Sequence, residues 1–204
     1  MKQVFFRSLV VFLGLSVGLT AATAQNTNAS GNSDRSAPSY DMKAQSLVDL
    51  QALQKKFVDL ATAVPGEKFT WRPSPDSRSF AEVFLHVAGE RYQILALMGA
   101  TPPEGFDGKA LEKSTTSKAD IIEELNRTEQ FAQATITGMS NADFRKLLPK
   151  LGPQANAGDV VYILVADAHE HLGQLVAYAR ENGIVPPWTA EALKKAADKK
   201  VQEK

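Results

Sequence analysis

The stretch "VADAHEHLGQ", residues 165–174, carries two of the three histidines of the 204-residue chain and lies inside a long apolar repeat. Val160, Val161, Leu164, Ala168, Leu172 and Leu175 recur at spacings of three and four, which predicts a helix over about residues 157–181. Asn182-Gly183, followed by Pro186-Pro187, ends it. Each residue turns about 100° from the last on such a helix. His171 then points between the directions of Tyr178 and Leu164, into the apolar sector, and Asp167 stacks beside it one turn earlier. His169 falls on the far edge of that sector, and Glu170 points away from it as a surface carboxylate. The polar unit of this helix is therefore Asp167 with His171, not the more visible "HEH".

Three further helical patterns precede it. Leu47, Leu50, Leu53, Phe57, Leu60 and Ala61 set the first, over about residues 43–63, and Pro65-Gly66 stops it. Ser79 and Glu82 form a capping box in front of the second, about residues 80–98, which buries Val83, Phe84, Val87, Ile94 and Leu95. Gly99 and Pro102-Pro103 close that helix. A long loop reaches the third, capped by Ser117 and running to about residue 136, with Ile121, Ile122, Leu125 and Phe131 on its apolar side. Ser140 caps a short extra turn through Phe144. Strand patterns are nearly absent. The expected fold is all-α, a four-helix bundle over residues 41–188 with a long crossover between the second and third helices, followed by a solvated amphipathic tail over 189–204.

The N-terminus reads differently. Lys2 and Arg7 precede an apolar run over about residues 9–19, and Ala22-Thr23-Ala24 supplies a small-x-small site before Gln25. That plan predicts a secretory signal over 1–24, and hence a periplasmic or secreted protein whose contact with the membrane is through the export signal. Residues 25–40 are small and polar, a disordered linker by composition. The chain has no cysteine, so neither a lipobox nor a disulfide is available. Without Lys2 and Arg7 the balance is 21 basic against 23 acidic residues, a net charge of −2 with neutral histidines. There is no basic stripe with interleaved aromatics, and no nucleic-acid partner is expected.

The third histidine gives the Asp167–His171 pair a wider meaning. His86 lies on the second helix, with Glu90 one turn later on the same side. Two helices of a bundle can thus each turn a histidine and a carboxylate inward, the arrangement from which bundle-core metal sites are built. His86, Asp167 and His171 are the expected ligands, leaving an open position, and Glu90 is the candidate base. The competing reading is a non-enzymatic binding or assembly module, in which Asp167 and His171 are a hydrogen-bonded core pair. Trp71 is expected to plug one end of the bundle and Arg72 to hold loop carbonyls. Tyr92 and Tyr178 pack or line a pocket, and Gly173 is expected to admit a close neighbouring helix.

Three segments carry a family resemblance. "VPGEKFTWRPSPDSRSFAEVFLHVAGERY" (64–92), "MGATPPEGFD" (98–107) and "HEHLGQLVAYARENGIVPP" (169–187) resemble the DinB-like superfamily of helical bacterial proteins, the second segment matching a loop of a secreted subgroup. The resemblance spans about residues 48–187. It implies a metal triad of one histidine on the second helix and a His-x3-His on the fourth. His86 matches the first member and His171 the last; Asp167 stands where the family has the other histidine, with His169 able to substitute only by local distortion. Two histidines and one carboxylate suit zinc, nickel, iron or manganese. The resemblance further implies a metal-dependent hydrolase or thiol transferase acting on a small molecule, and pairing into a homodimer.

Overall fold

The computed structural model describes residues 41–202. The signal over 1–24 and the linker over 25–40 lie outside the described residues. The described chain is all-helical: α1 (Met42–Ala63), a 3-10 turn (Gly66–Lys68), α2 (Phe80–Ala96), α3 (Gly108–Glu112), α4 (Lys118–Gly138), α5 (Asn141–Phe144), α6 (Ala157–Glu181) and α7 (Pro187–Gln202). Among the described residues the only β pairing is an isolated bridge between Leu147 and Asn156. No described helix is long and apolar enough to cross a membrane.

Local chemistry sets the helix ends. The Asp41 side chain accepts from the Ala44 amide at the start of α1. Ser79 and Glu82 make the reciprocal capping box of α2, and Ser117 accepts from the Asp120 amide at the start of α4. A further box, between Asn156 and Asp159, opens α6. Each such cap satisfies amides that the first turn leaves without intrahelical partners, a contribution of about 1 kcal/mol. Gly183 takes φ 72° just past α6, the left-handed conformation that glycine adopts without steric cost.

The four long helices pack in a definite order: α1 lies against α4 and α6, and α2 lies against the same two. Leu53, Phe57, Leu60, Phe80, Phe84, Ile121, Leu125 and Leu175 form the larger part of the core, and Leu50, Leu95, Ile136, Val161 and Leu164 a second cluster. Trp71 lies partly buried against the larger cluster, edge-on to Tyr178 at 5.3 Å. Arg72 donates to the Ser77 carbonyl (2.9 Å) and pairs with Glu82 (3.2 Å). Arg72 thus holds a loop carbonyl as expected, and Trp71 packs against the core.

Three features depart from the sequence reading. The crossover between α2 and α4 contains a short helix, α3, because Asp107 caps the Lys109 and Ala110 amides and Leu111 packs onto the core. The C-terminal helix begins at Pro187, not 189: proline fits the first turn of a helix, whose amide has no intrahelical partner. Gly173 is exposed, and a Cβ built on it would meet nothing within 4 Å, so it admits no close neighbour.

The core also holds a charge that no periodicity signals. Arg91 is 1% exposed. It donates to the Leu125 carbonyl (2.7 Å), Thr128 (3.1 Å) and Gln54 (2.8 Å), and stands 3.3 Å from Glu129. One guanidinium thereby ties α2 to α1 and α4, with its charge compensated as burial demands.

Candidate metal centre

α2 and α6 pack side by side and bring the predicted groups together. His86 and Glu90 are one turn apart on α2, and Asp167 and His171 one turn apart on α6. The two imidazole rings meet edge-on, with centroids 4.6 Å apart. Glu90 lies between them: its Oε1 is 3.2 Å from His86 Nε2, and its Oε2 is 3.9 Å from His171 Nε2. Asp167 Oδ1 is 3.5 Å from the same His171 nitrogen. His86, Glu90 and His171 each offer a ligand atom, and these atoms all lie within 4.8 Å of one another. Asp167 borders the set through His171. Glu90, expected as a base, thus stands among the donors. His169 and Glu170 are exposed and take no part.

The outward nitrogens of both rings are occupied. His86 Nδ1 is 2.7 Å from Glu112 Oε1, and Glu112 in turn accepts two hydrogen bonds from Arg78 (3.0 and 3.2 Å). His171 Nδ1 is 2.9 Å from Gln174 Oε1, and the Gln174 amide donates to the Tyr178 hydroxyl (3.0 Å). A carboxylate and an amide oxygen can only accept, so each neutral ring carries its proton on Nδ1 and turns the Nε2 lone pair inward. Two lone pairs then face the Glu90 carboxylate. Glu90 Oε2 is buried and, in the ionised carboxylate, has no donor against it. A buried acceptor of this kind is costly unless a proton or a cation sits against it.

The ionisation pattern reflects that crowding. Burial, followed by the neighbouring Asp167 carboxylate, pushes Glu90 up to about 8. Asp167 is lowered: burial opposes this, but hydrogen bonds to His171 and to protonated Glu90 outweigh it. His171 is raised, the partners Asp167 and Gln174 overcoming burial. His86 is lowered by burial and by the positive charges of Arg78 and His171. Two carboxylates this close share a proton, or a cation in its place. Two imidazole nitrogens plus carboxylate oxygens, with the second ring nitrogens held by outer partners, are the donor set and support a divalent first-row metal takes. The residues present fit such an ion.

Glu112, Arg78 and Gln174 were not visible as members of the site. Gln174 lies one turn from His171, so its reach follows from helix geometry once His171 is placed inward. Glu112 is 26 residues from His86 on the crossover, and no local spacing connects them.

Among curated proteins no match was found. The sequence does match the family model of the DinB superfamily over residues 49–175, more than half of the chain. That span contains His86, Glu90, Glu112, Asp167 and His171 and ends on α6. With an all-helical fold and a histidine–carboxylate cluster where α2 meets α6, the chain belongs to the DinB superfamily.

Proposed function

We propose that this protein is an exported metal-binding protein that holds one divalent ion between α2 and α6. His86 Nε2, His171 Nε2 and the Glu90 carboxylate hold it, and Asp167 supplies a further oxygen. The reading takes α1, α2, α4 and α6 as a four-helix bundle whose interior positions the ligands. One observation carries it: both imidazoles are tied outward through Nδ1 and turn Nε2 toward Glu90, which when ionised has a buried oxygen with no donor against it.

A divalent ion held with an open position supplies Lewis acidity, lowering the pKa of water or of a thiol and polarising a substrate oxygen. The chain's own residues do the rest. Glu112 and Gln174 orient the two rings. Asp167 keeps a negative charge beside His171, and Glu90, whose proton affinity is raised in the metal-free site, would give up that proton on binding the ion. These properties suit a metal-dependent hydrolase or thiol transferase acting on a small molecule. Zinc, nickel, iron and manganese all accept two imidazoles with carboxylates. Location in the periplasm or outside the cell rests on Lys2, Arg7, the apolar run and Ala22-Thr23-Ala24. Homodimer formation belongs to the same proposal through the family resemblance.

Elemental analysis of tag-free protein tests the metal. The expected result is near-stoichiometric divalent metal, and a melting temperature that rises when zinc or nickel is returned to stripped protein. No metal and no thermal shift would leave the hydrogen-bonded polar core as the reading.

A further inference from the structure

We infer that Glu112, on the crossover helix α3, is a positioning residue for His86, so that docking of α3 on α2 sets the metal affinity of the site. The inference rests on the metal-binding reading above and concerns a residue outside the ligand set.

The geometry begins with the seat of α3. A Cβ on Gly89 would lie 3.6 Å from Leu111 Cδ2 and 3.8 Å from the Gly108 backbone, so α3 rests closely on α2 one residue before Glu90. Leu111 packs against the core, Asp107 caps the helix, and Phe106 meets Tyr92 at 5.0 Å. This seat places Glu112 over the outer edge of His86. Arg78, in the segment leading into α2, grips both Glu112 oxygens and leaves Oε1 at 2.7 Å from His86 Nδ1.

The consequence is a choice of tautomer. His86 Nε2 has its own acceptor, Glu90 Oε1, at 3.2 Å. Without Glu112 the ring proton gains by moving to Nε2 and bonding Glu90, which consumes both the nitrogen lone pair and the carboxylate oxygen a metal would need. Glu112 draws that proton to the opposite side and keeps Nε2 free. Carboxylates behind metal-bound histidines act in this way, and their loss costs about 10–100-fold in metal affinity.

Two measurements on the full chain test this. Long-range proton–nitrogen spectra of metal-free protein at a pH above the value of about 8 to which Glu90 is raised, where its carboxylate can only accept, report the His86 tautomer, and cobalt(II) titration by visible absorbance reports affinity. Wild type is expected to show the proton on Nδ1. Glu112→Ala is expected to move it to Nε2 and weaken cobalt binding by about 10–100-fold. Glu112→Gln keeps an acceptor oxygen, so it should retain the Nδ1 proton and lose less affinity than Glu112→Ala. Should Glu112→Ala fail to fold, Glu112→Gln decides through affinity, since loss of the carboxylate charge alone should weaken cobalt several-fold. Wild-type tautomer in Glu112→Ala, or wild-type affinity in Glu112→Gln where Ala does not fold, overturns the inference. Failure of wild type to bind cobalt would sink the metal reading, while the tautomer comparison would still decide the role of Glu112.

Discussion

Glu90 Oε1 stands 3.2 Å from His86 Nε2, although the hydrogen bond from His86 Nδ1 to Glu112 leaves that Nε2 without a proton in the neutral ring. With Glu90 ionised, acceptor faces acceptor across this half-buried contact, and the expected behaviour of the protein follows largely from the proton or cation that sits against it.

The ligands should rank by their place around that gap. His86→Ala and His171→Ala each remove an inward Nε2 and should abolish stoichiometric metal, read by elemental analysis. Asp167→Ala should weaken zinc binding but retain it, because Asp167 stands beside the His86–Glu90–His171 set, against His171 and Glu90, and is not a member of it. Full loss of metal in Asp167→Ala with full retention in Glu90→Ala would reverse this order.

Stability of the metal-free protein should fall as pH rises from about 5 to about 8. Glu90 has its carboxyl raised to about 8 against an ordinary 4.5, so the folded state binds more protons than the unfolded state across that interval. Stability then declines with pH wherever the native state holds the extra proton. His171, also raised, acts in the same direction above its ordinary 6.5; His86, lowered, acts oppositely and only below 6.5. Glu90→Gln should flatten the slope in denaturant titrations, and saturating zinc should abolish the decline in wild type, because the bound ion keeps Glu90 and both imidazoles unprotonated in the folded state. An equally steep slope in Glu90→Gln would assign it to other groups.

Arg91→Ala should destabilise the fold by about 3–5 kcal/mol, the cost of leaving a buried charge without its partner. Glu129 would remain buried with no compensating cation. Replacing both, as Arg91→Met with Glu129→Met, should recover most of the loss, since apolar side chains of similar volume need no partner. Urea unfolding of the three proteins measures it.

Gly173→Ala should stabilise the protein by about 1 kcal/mol, the difference in helix propensity. The site is exposed, lies inside α6, and leaves open space for a Cβ. A thermal melt that shows destabilisation would mean that the glycine serves contacts with another molecule.

The parts of this protein that could be read along the chain are those governed by short-range geometry. Ser79 with Glu82, Ser117, and Asn182-Gly183 mark helix ends because capping acts within one turn. Asp167 and His171 could be paired, and His169 and Glu170 set aside, because a helix fixes direction at about 100° per residue. The DinB resemblance, borne out over residues 49–175, rests on segments of the same kind.

What lay beyond reach depends on how separate helices settle against one another. Periodicity put Glu90 on the same flank as His86, yet its position between two imidazoles exists only because α2 packs on α6. Glu112 gains its role because α3 docks on α2, with Leu111 against the core, and Arg91 is tolerated in the core because Gln54, Leu125, Thr128 and Glu129 arrive from two other helices. Helix phase is local and can be counted residue by residue. The partner that makes a buried charge affordable comes from elsewhere in the chain, and no count along one helix reveals it.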